Sequence, residues 1–159
     1  MTLLSLFATV IGLTIWLGAA VFLNVFVGPE AYRRMGPTRG SELLGGVTRK
    51  FHYLSYGCGA LMLIGALGAL PIESKRMNTI AFMACTGVAF SLSLYAGTVI
   101  EPRIRTLRDL LEHTAGSDEN IDVRDRFDHS HRVGSFVNGL SVAFLVGGAL
   151  ALSAMTNPA

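Results

Sequence analysis

Charge is scarce in this chain: 15% of its 159 residues are Asp, Glu, Lys or Arg, against about a quarter in an ordinary soluble domain. Polar surface is therefore too sparse to coat a water-facing particle. Cysteine is nearly absent, with two residues, which excludes a disulfide scaffold. Five prolines and eighteen glycines without a three-residue period exclude a collagen-like repeat. An apolar share of 51% excludes a disordered chain. The net charge of +2 is too small for a nucleic-acid footprint, so no nucleic-acid partner is expected. No phosphate-binding glycine loop, HExxH pair or nucleophile–base triad occurs. The length suits one domain.

The charges that exist leave four gaps. Residues 1–29, 51–72, 77–100 and 133–159 contain no Asp, Glu, Lys or Arg. Each gap holds the ~20 apolar residues that a helix needs to cross ~30 Å of hydrocarbon. In lipid every backbone N–H and C=O must be paired within its own segment, so such runs must be helical. The expectation is an all-α integral membrane four-helix bundle, one domain over 1–159, with spans near 3–28, 51–71, 78–101 and 132–155 and the lipid bilayer as its partner. The first run is expected to be retained rather than cleaved as a signal peptide, because Met1-Thr2-Leu3-Leu4 lacks a positive n-region.

Basic residues set the orientation. Eleven of thirteen lie between spans one and two (Arg33, Arg34, Arg39, Arg49, Lys50) or between spans three and four (Arg103, Arg105, Arg108, Arg124, Arg126, Arg132). Only Lys75 and Arg76 fall on the other side. The positive-inside rule then places both long loops in the cytoplasm and both termini outside, in a cell (inner) membrane. By helical rise Cys58 lies ~9 Å and Cys85 ~24 Å from the cytoplasmic side. That gap exceeds the ~7 Å Cα separation a disulfide allows, so both are expected as packing residues.

The chain reads as two similar hairpins. Span one leaves at Gly28-Pro29-Glu30 and span three at Glu101-Pro102; spans two and four begin at Phe51-His52 and at Phe127 with His131. A duplication and independent selection of similar interfacial residues both explain this. Helices are expected to extend into the cytoplasm. Leu43, Leu44, Val47 and Phe51 mark one apolar stripe, and Ile104, Leu107, Leu110 and Leu111 another. Ser117-Asp118-Glu119-Asn120 reads as a turn and helix start, followed by the i,i+4 pairs Asp125/His129 and Arg124/Asp128. In span four Ser135, Gly139, Ala143, Gly147 and Ala151 recur every four residues. This small-residue stripe suits packing inside the bundle, or else a homodimer contact.

Polar residues gather at one depth. Glu30, His52, Glu101 and His131 fall at the cytoplasmic boundary, with Asn24, Ser55, Ser135 and Asn138 deeper on the same side. His131, Ser135 and Asn138 are spaced i, i+4, i+7 and share a face. Pro29 and Pro102 cannot bond the carbonyls of Val25 and Thr98 if their helices continue through them. A cavity with two imidazoles, two carboxylates and freed carbonyls could hold a cation. His52, His131, Glu30 and Glu101 form a mixed N/O set suited to a divalent metal ion. The two histidines would suit haem b if their helices are neighbours. A metal-free pocket for a polar ligand or lipid headgroup is the third reading. The plain alternative is that interfacial Glu and His pair with nearby arginines, and that Asn24 and Asn138 merely glue helices together.

Three patterns together resemble the transmembrane protein 205 family. They are Phe51-His52 followed by Ser55, Gly57 and Cys58; Glu101-Pro102-Arg103; and Phe127-x3-His131-x3-Ser135-x2-Asn138, joined by Gly28-Pro29. The resemblance implies a four-span domain and importance for His52, Glu101, His131, Ser135 and Asn138, but it supplies no reaction. The expected function is a non-enzymatic membrane protein whose polar cavity binds a cation or small polar ligand, with transport as one use. A haem- or metal-dependent redox protein and a structural or assembly subunit are the alternatives.

Overall fold

The computed structural model of the chain describes residues 3–67, 76–113 and 119–156. Helix α1 (Leu3–Phe22) runs through a π-helical turn (Leu23–Val27) into α2 (Gly28–Leu67). Helix α3 (Arg76–Tyr95) runs through a second π turn (Ala96–Ile100) into α4 (Glu101–His113), and α5 (Glu119–Thr156) follows. The described residues contain no strand. The turn expected at 117–118 lies outside them, and α5 begins at Glu119.

Three continuous helical stretches are long and apolar enough to cross a bilayer: Leu3–Gly36, Met77–Leu111 and Ile121–Ala154. They mark the chain as a membrane protein. In the remaining long arm, after Gly36, the apolar stretch begins at Phe51 and is described only to Leu67.

The two π turns occupy equivalent places. Gly28 N–H donates to Leu23 O, and Glu101 N–H donates to Ala96 O, each spanning five residues instead of four. A proline follows directly in both cases. Pro29 and Pro102 lack an N–H and crowd the carbonyl four residues back, and the widened turn accommodates this without breaking the helix. The first exit reverses at Gly36 (φ 75°, ψ 175°), a left-handed φ that glycine alone adopts freely. Its extended ψ suits the proline that follows.

Each helix turns one face inward. Thr9, Gly12, Leu13, Trp16 and Ala20 are buried on α1. Phe51, Ser55, Cys58, Met62 and Ala66 are buried on α2, and Thr79, Phe82, Thr86, Ala89 and Ser93 on α3. These residues recur at three- and four-residue steps, as an α-helix requires. The neighbours are α1 with α2, α2 with α3, α3 with α5 and α5 with α1, which closes a four-membered ring; α4 leans on α5. The outer surface carries large apolar side chains, and the centre mixes apolar residues such as Trp16, Phe82 and Met62 with small hydroxyls. Phe136, Leu150 and Ile64 are 70%, 69% and 67% exposed, whereas Thr9, Ser55 and Thr79 are fully buried. An apolar exterior with small hydroxyls admitted to the core suits lipid, where hydroxyls hydrogen-bond across helices.

The small-residue stripe of α5 packs inside the bundle only in its later part, where Gly147 lies against Cys85 and Ala151 against the core. Ser135, Gly139 and Ala143 are exposed, and a Cβ built on Gly139 would meet nothing within 4 Å. The inward face is Val137, Ser141, Leu145, Gly148 and Leu152. Close approach is made by other glycines. A Cβ on Gly12 would lie 3.0 Å from Cys58 O, and one on Gly65 would lie 3.0 Å from Ser5 O. Leu43 also turns outward. Among the described residues at the start of α5 the ion pair formed is Arg126–Asp122 at 2.9 Å, not the expected Asp125/His129 and Arg124/Asp128 pairs. Cys58 and Cys85 are free; Cys58 sits in the core and Cys85 lies against Gly147.

Candidate functional site

At the end of the bundle where the two π turns lie, the helices part around a cavity of about 380 Å³, within the range of small-ligand sites. The two π turns, α2, α4 and α5 supply its walls. The first exit brings Asn24, Gly28, Pro29 and Tyr32, spaced at about one turn. Ser41, Gly45, Thr48 and His52 follow one face of α2, and Glu101, Ile104 and Arg108 one face of α4. Phe127, His131, Ser135 and Asn138 come from α5. Six of the eight residues singled out above therefore share this one space: Asn24, His52, Glu101, His131, Ser135 and Asn138.

At the inner end, Asn138 Nδ2 donates to Asn24 Oδ1 at 3.1 Å, joining α5 to the first π turn. Asn24 Nδ2 in turn donates to Ala20 O at 2.7 Å. His52 is fixed from behind. Its Nδ1 lies 3.5 Å from Ser93 Oγ, its ring stacks on Tyr56, and its carbonyl accepts from Ser55 Oγ at 2.8 Å. Ser55 and Ser93 hydroxyls are 2.6 Å apart. Ser55 thus supports the imidazole and does not line the cavity. Across the space, the His131 ring stacks on Phe127 and meets the Tyr32 ring edge-on at a centroid distance of 6.5 Å. The Glu101 side chain is 12% exposed, and its carboxylate lies 3.7 Å from Arg105 Nη2.

Glu30 stands apart. It lines an apolar surface groove with Phe22, Phe26 and Leu43, and Arg33 Nη2 binds its carboxylate at 2.8 Å, with Arg34 as a second partner. His52 and His131 are carried by helices on opposite corners of the ring rather than by neighbours. Among the described residues, no three His, Cys, Asp or Glu side chains converge to hold a metal ion. The set His52, His131, Glu30 and Glu101 is therefore not assembled, and the neighbouring-helix geometry on which the haem reading depended is not present.

The domain of unknown function DUF4149 matches residues 11–113. The chain belongs to that family. The DUF4149 match runs from within α1 to the end of α4, so it includes both π turns, both exit prolines, His52, Glu101 and Arg108. Helix α5, which brings His131, Ser135 and Asn138, lies beyond it. No curated protein and no solved structure matches the chain.

Sequence reasoning missed Tyr32, Ser93, Gly45 and Arg108. In the charge pattern Arg108 is one orientation charge among eleven. Its spacing from Glu101, through Arg105, is i, i+4, i+7, which already places all three on one helix face.

Proposed function

We propose that this DUF4149 protein is a four-span inner-membrane protein that binds a small polar ligand in the cavity between its two helix exits. The supporting observation is that polar side chains from the first π turn, α2, α4 and α5 meet in one space while the outside of the bundle carries large apolar side chains. The eleven-to-two bias of basic residues supports a cytoplasmic mouth and outward termini. The second span is supported by the apolar sequence that continues past Leu67 to Ile72. The Phe-His, Glu-Pro-Arg and aromatic-His-Ser-Asn landmarks favour a closer kinship with the transmembrane protein 205 family. Four helices enclose little space, so a transport role would call for a homodimer.

The test is the melting temperature of the purified full chain in neutral detergent. Magnesium, manganese, ammonium, acetate and inorganic phosphate are added one at a time. A ligand that binds only the folded chain raises its stability in proportion to the logarithm of concentration. At least one probe is expected to stabilise the wild type. Asn138→Ala, which removes the amide at the inner end, should weaken that effect about tenfold, the size of one lost hydrogen bond to ligand. Stabilisation by no probe, or equal stabilisation of Asn138→Ala, overturns the proposal.

A further inference from the structure

We infer that the mouth of this cavity is a receptor for a phosphate group, held by Arg108; the inference rests on the ligand-binding reading above. Arg108 lies two turns beyond Glu101 on the cavity face of α4. Its guanidinium extends across to α2 over Gly45, where a Cβ would come within 2.8 Å of Nη1 and 3.3 Å of Nη2. Only the missing side chain at Gly45 gives the guanidinium this position. Arg108 Nε is buried there, and none of the described residues accepts a hydrogen bond from it. A buried donor of a charged group is costly to leave unpaired, and native structures rarely do so without a ligand, ion or water.

The charge at the mouth selects the sign of that ligand. Among the described residues Glu101 is the one carboxylate lining the cavity, and Arg105 already engages it. Arg49 and Arg108 also lie within electrostatic reach of Glu101, so three cations surround one acid. The two imidazoles that face the same space, His52 and His131, add no negative charge, and Tyr32, within reach of Arg108, is a phenol. A metal cation would meet an excess of positive charge here, and an anion would offset it. The planar guanidinium fork binds two oxygens of a phosphate or carboxylate side by side. Thr48 lines the same mouth one turn beyond Gly45. Its hydroxyl can serve a further oxygen of a tetrahedral group, which a planar carboxylate does not possess. The shared chemistry is a phosphate, whether free in solution or carried by a lipid headgroup at the membrane boundary.

Two arms separate these sources. The full chain in maltoside micelles is titrated with inorganic phosphate. Separately, it is titrated with short-chain phosphatidylglycerol and with the diacylglycerol of the same chains, which has no phosphate. Stabilisation by inorganic phosphate supports a free ligand. Stabilisation by phosphatidylglycerol alone, with no effect of diacylglycerol, supports a headgroup. In either case Arg108→Gln should weaken binding about ten- to a hundredfold. Arg108→Lys should recover part of that loss, and Arg124→Gln, on the exposed part of α5, should leave binding unchanged. If Arg108→Gln fails to fold, Gly45→Ala provides a second variant, because its methyl displaces the guanidinium and should weaken binding as well. Stabilisation by neither phosphate compound, or equal stabilisation with Arg108 replaced, overturns the inference. If magnesium, ammonium or acetate then still stabilises the chain in an Asn138-dependent way, the ligand-binding reading stands and only the phosphate assignment falls.

Discussion

Replacing Gly97 by leucine is expected to stop the two hairpins from docking. Gly97 lies in the second π turn, where a Cβ would overlap the Tyr56 hydroxyl and come within 3.0 Å of His52 Cγ and 3.2 Å of its Cβ. The buried His52 can yield little, and Tyr56 can yield only by giving up its ring contacts. The His52 ring is stacked on Tyr56 and backed by Ser93, and Tyr56 meets Phe90 edge-on. Inserting even a few methylenes into a packed interior costs about 1–3 kcal/mol. A leucine at a site that cannot house one methyl should exceed that range. The expected result is low accumulation in the membrane and a strongly reduced melting temperature, with Gly97→Ala intermediate. Gly139→Leu is the control, because its Cβ points into open space. It should stay within about 0.5 kcal/mol of wild type, as surface substitutions usually do.

The second large effect is expected at Trp16. This side chain is 1% exposed at the centre of the main core cluster, and its ring lies 3.1 Å from where a Cβ on Gly59 would stand. In water, truncating a buried tryptophan to alanine costs about 3–5 kcal/mol, as lost transfer energy plus a cavity. In a bilayer the unfolded reference still immerses the indole in lipid, so most of the transfer part vanishes and lost packing remains. About 2–3 kcal/mol is therefore expected for Trp16→Ala, on the scale of the cavity contribution alone. Reversible unfolding in mixed micelles titrated with a denaturing detergent would measure it. Phe136→Ala, at a side chain that is 70% exposed, should change little. If the surroundings were water rather than lipid, Phe136→Ala should if anything improve solubility, and Trp16→Ala should approach the upper figure.

Depth was legible in the sequence, and direction only in part. A helix advances ~1.5 Å per residue, so the boundary level of His52, Glu101 and His131, and the deeper level of Asn24 and Asn138, can be counted from the apolar runs. All five line one cavity. Which way a side chain faces needs the angular step as well. Gly28 and Tyr32 follow Asn24 at four and eight residues and share its face, whereas Glu30 falls between them and points to the other side. Depth alone does not distinguish it from the others. The π turns and the Gly36 reversal depend on how proline and glycine are accommodated by their neighbours, which charge and hydropathy do not encode. The α5 stripe shows a different limit. Small residues permit another helix to come close, but whether one does is decided by the rest of the bundle, here through Val137, Ser141 and Leu145 facing inward. Arg108 was hidden for a related reason, since its position depends on the absence of a side chain at Gly45, on a different helix.

Cysteine accessibility in sealed native-membrane vesicles tests the central picture most directly, in a chain whose Cys58 and Cys85 have been replaced by alanine. Ser135 and Phe136 are adjacent on α5 and both exposed, but only Ser135 lines the cavity. A charged, membrane-impermeant thiol reagent reacts with the thiolate, which forms in water and not in hydrocarbon. The account predicts that Ser135→Cys is modified from the cytoplasmic face and that Phe136→Cys is left intact. Modification of both at similar rates, or protection of Ser135→Cys from either face, would contradict a wet cavity set in a lipid-embedded bundle.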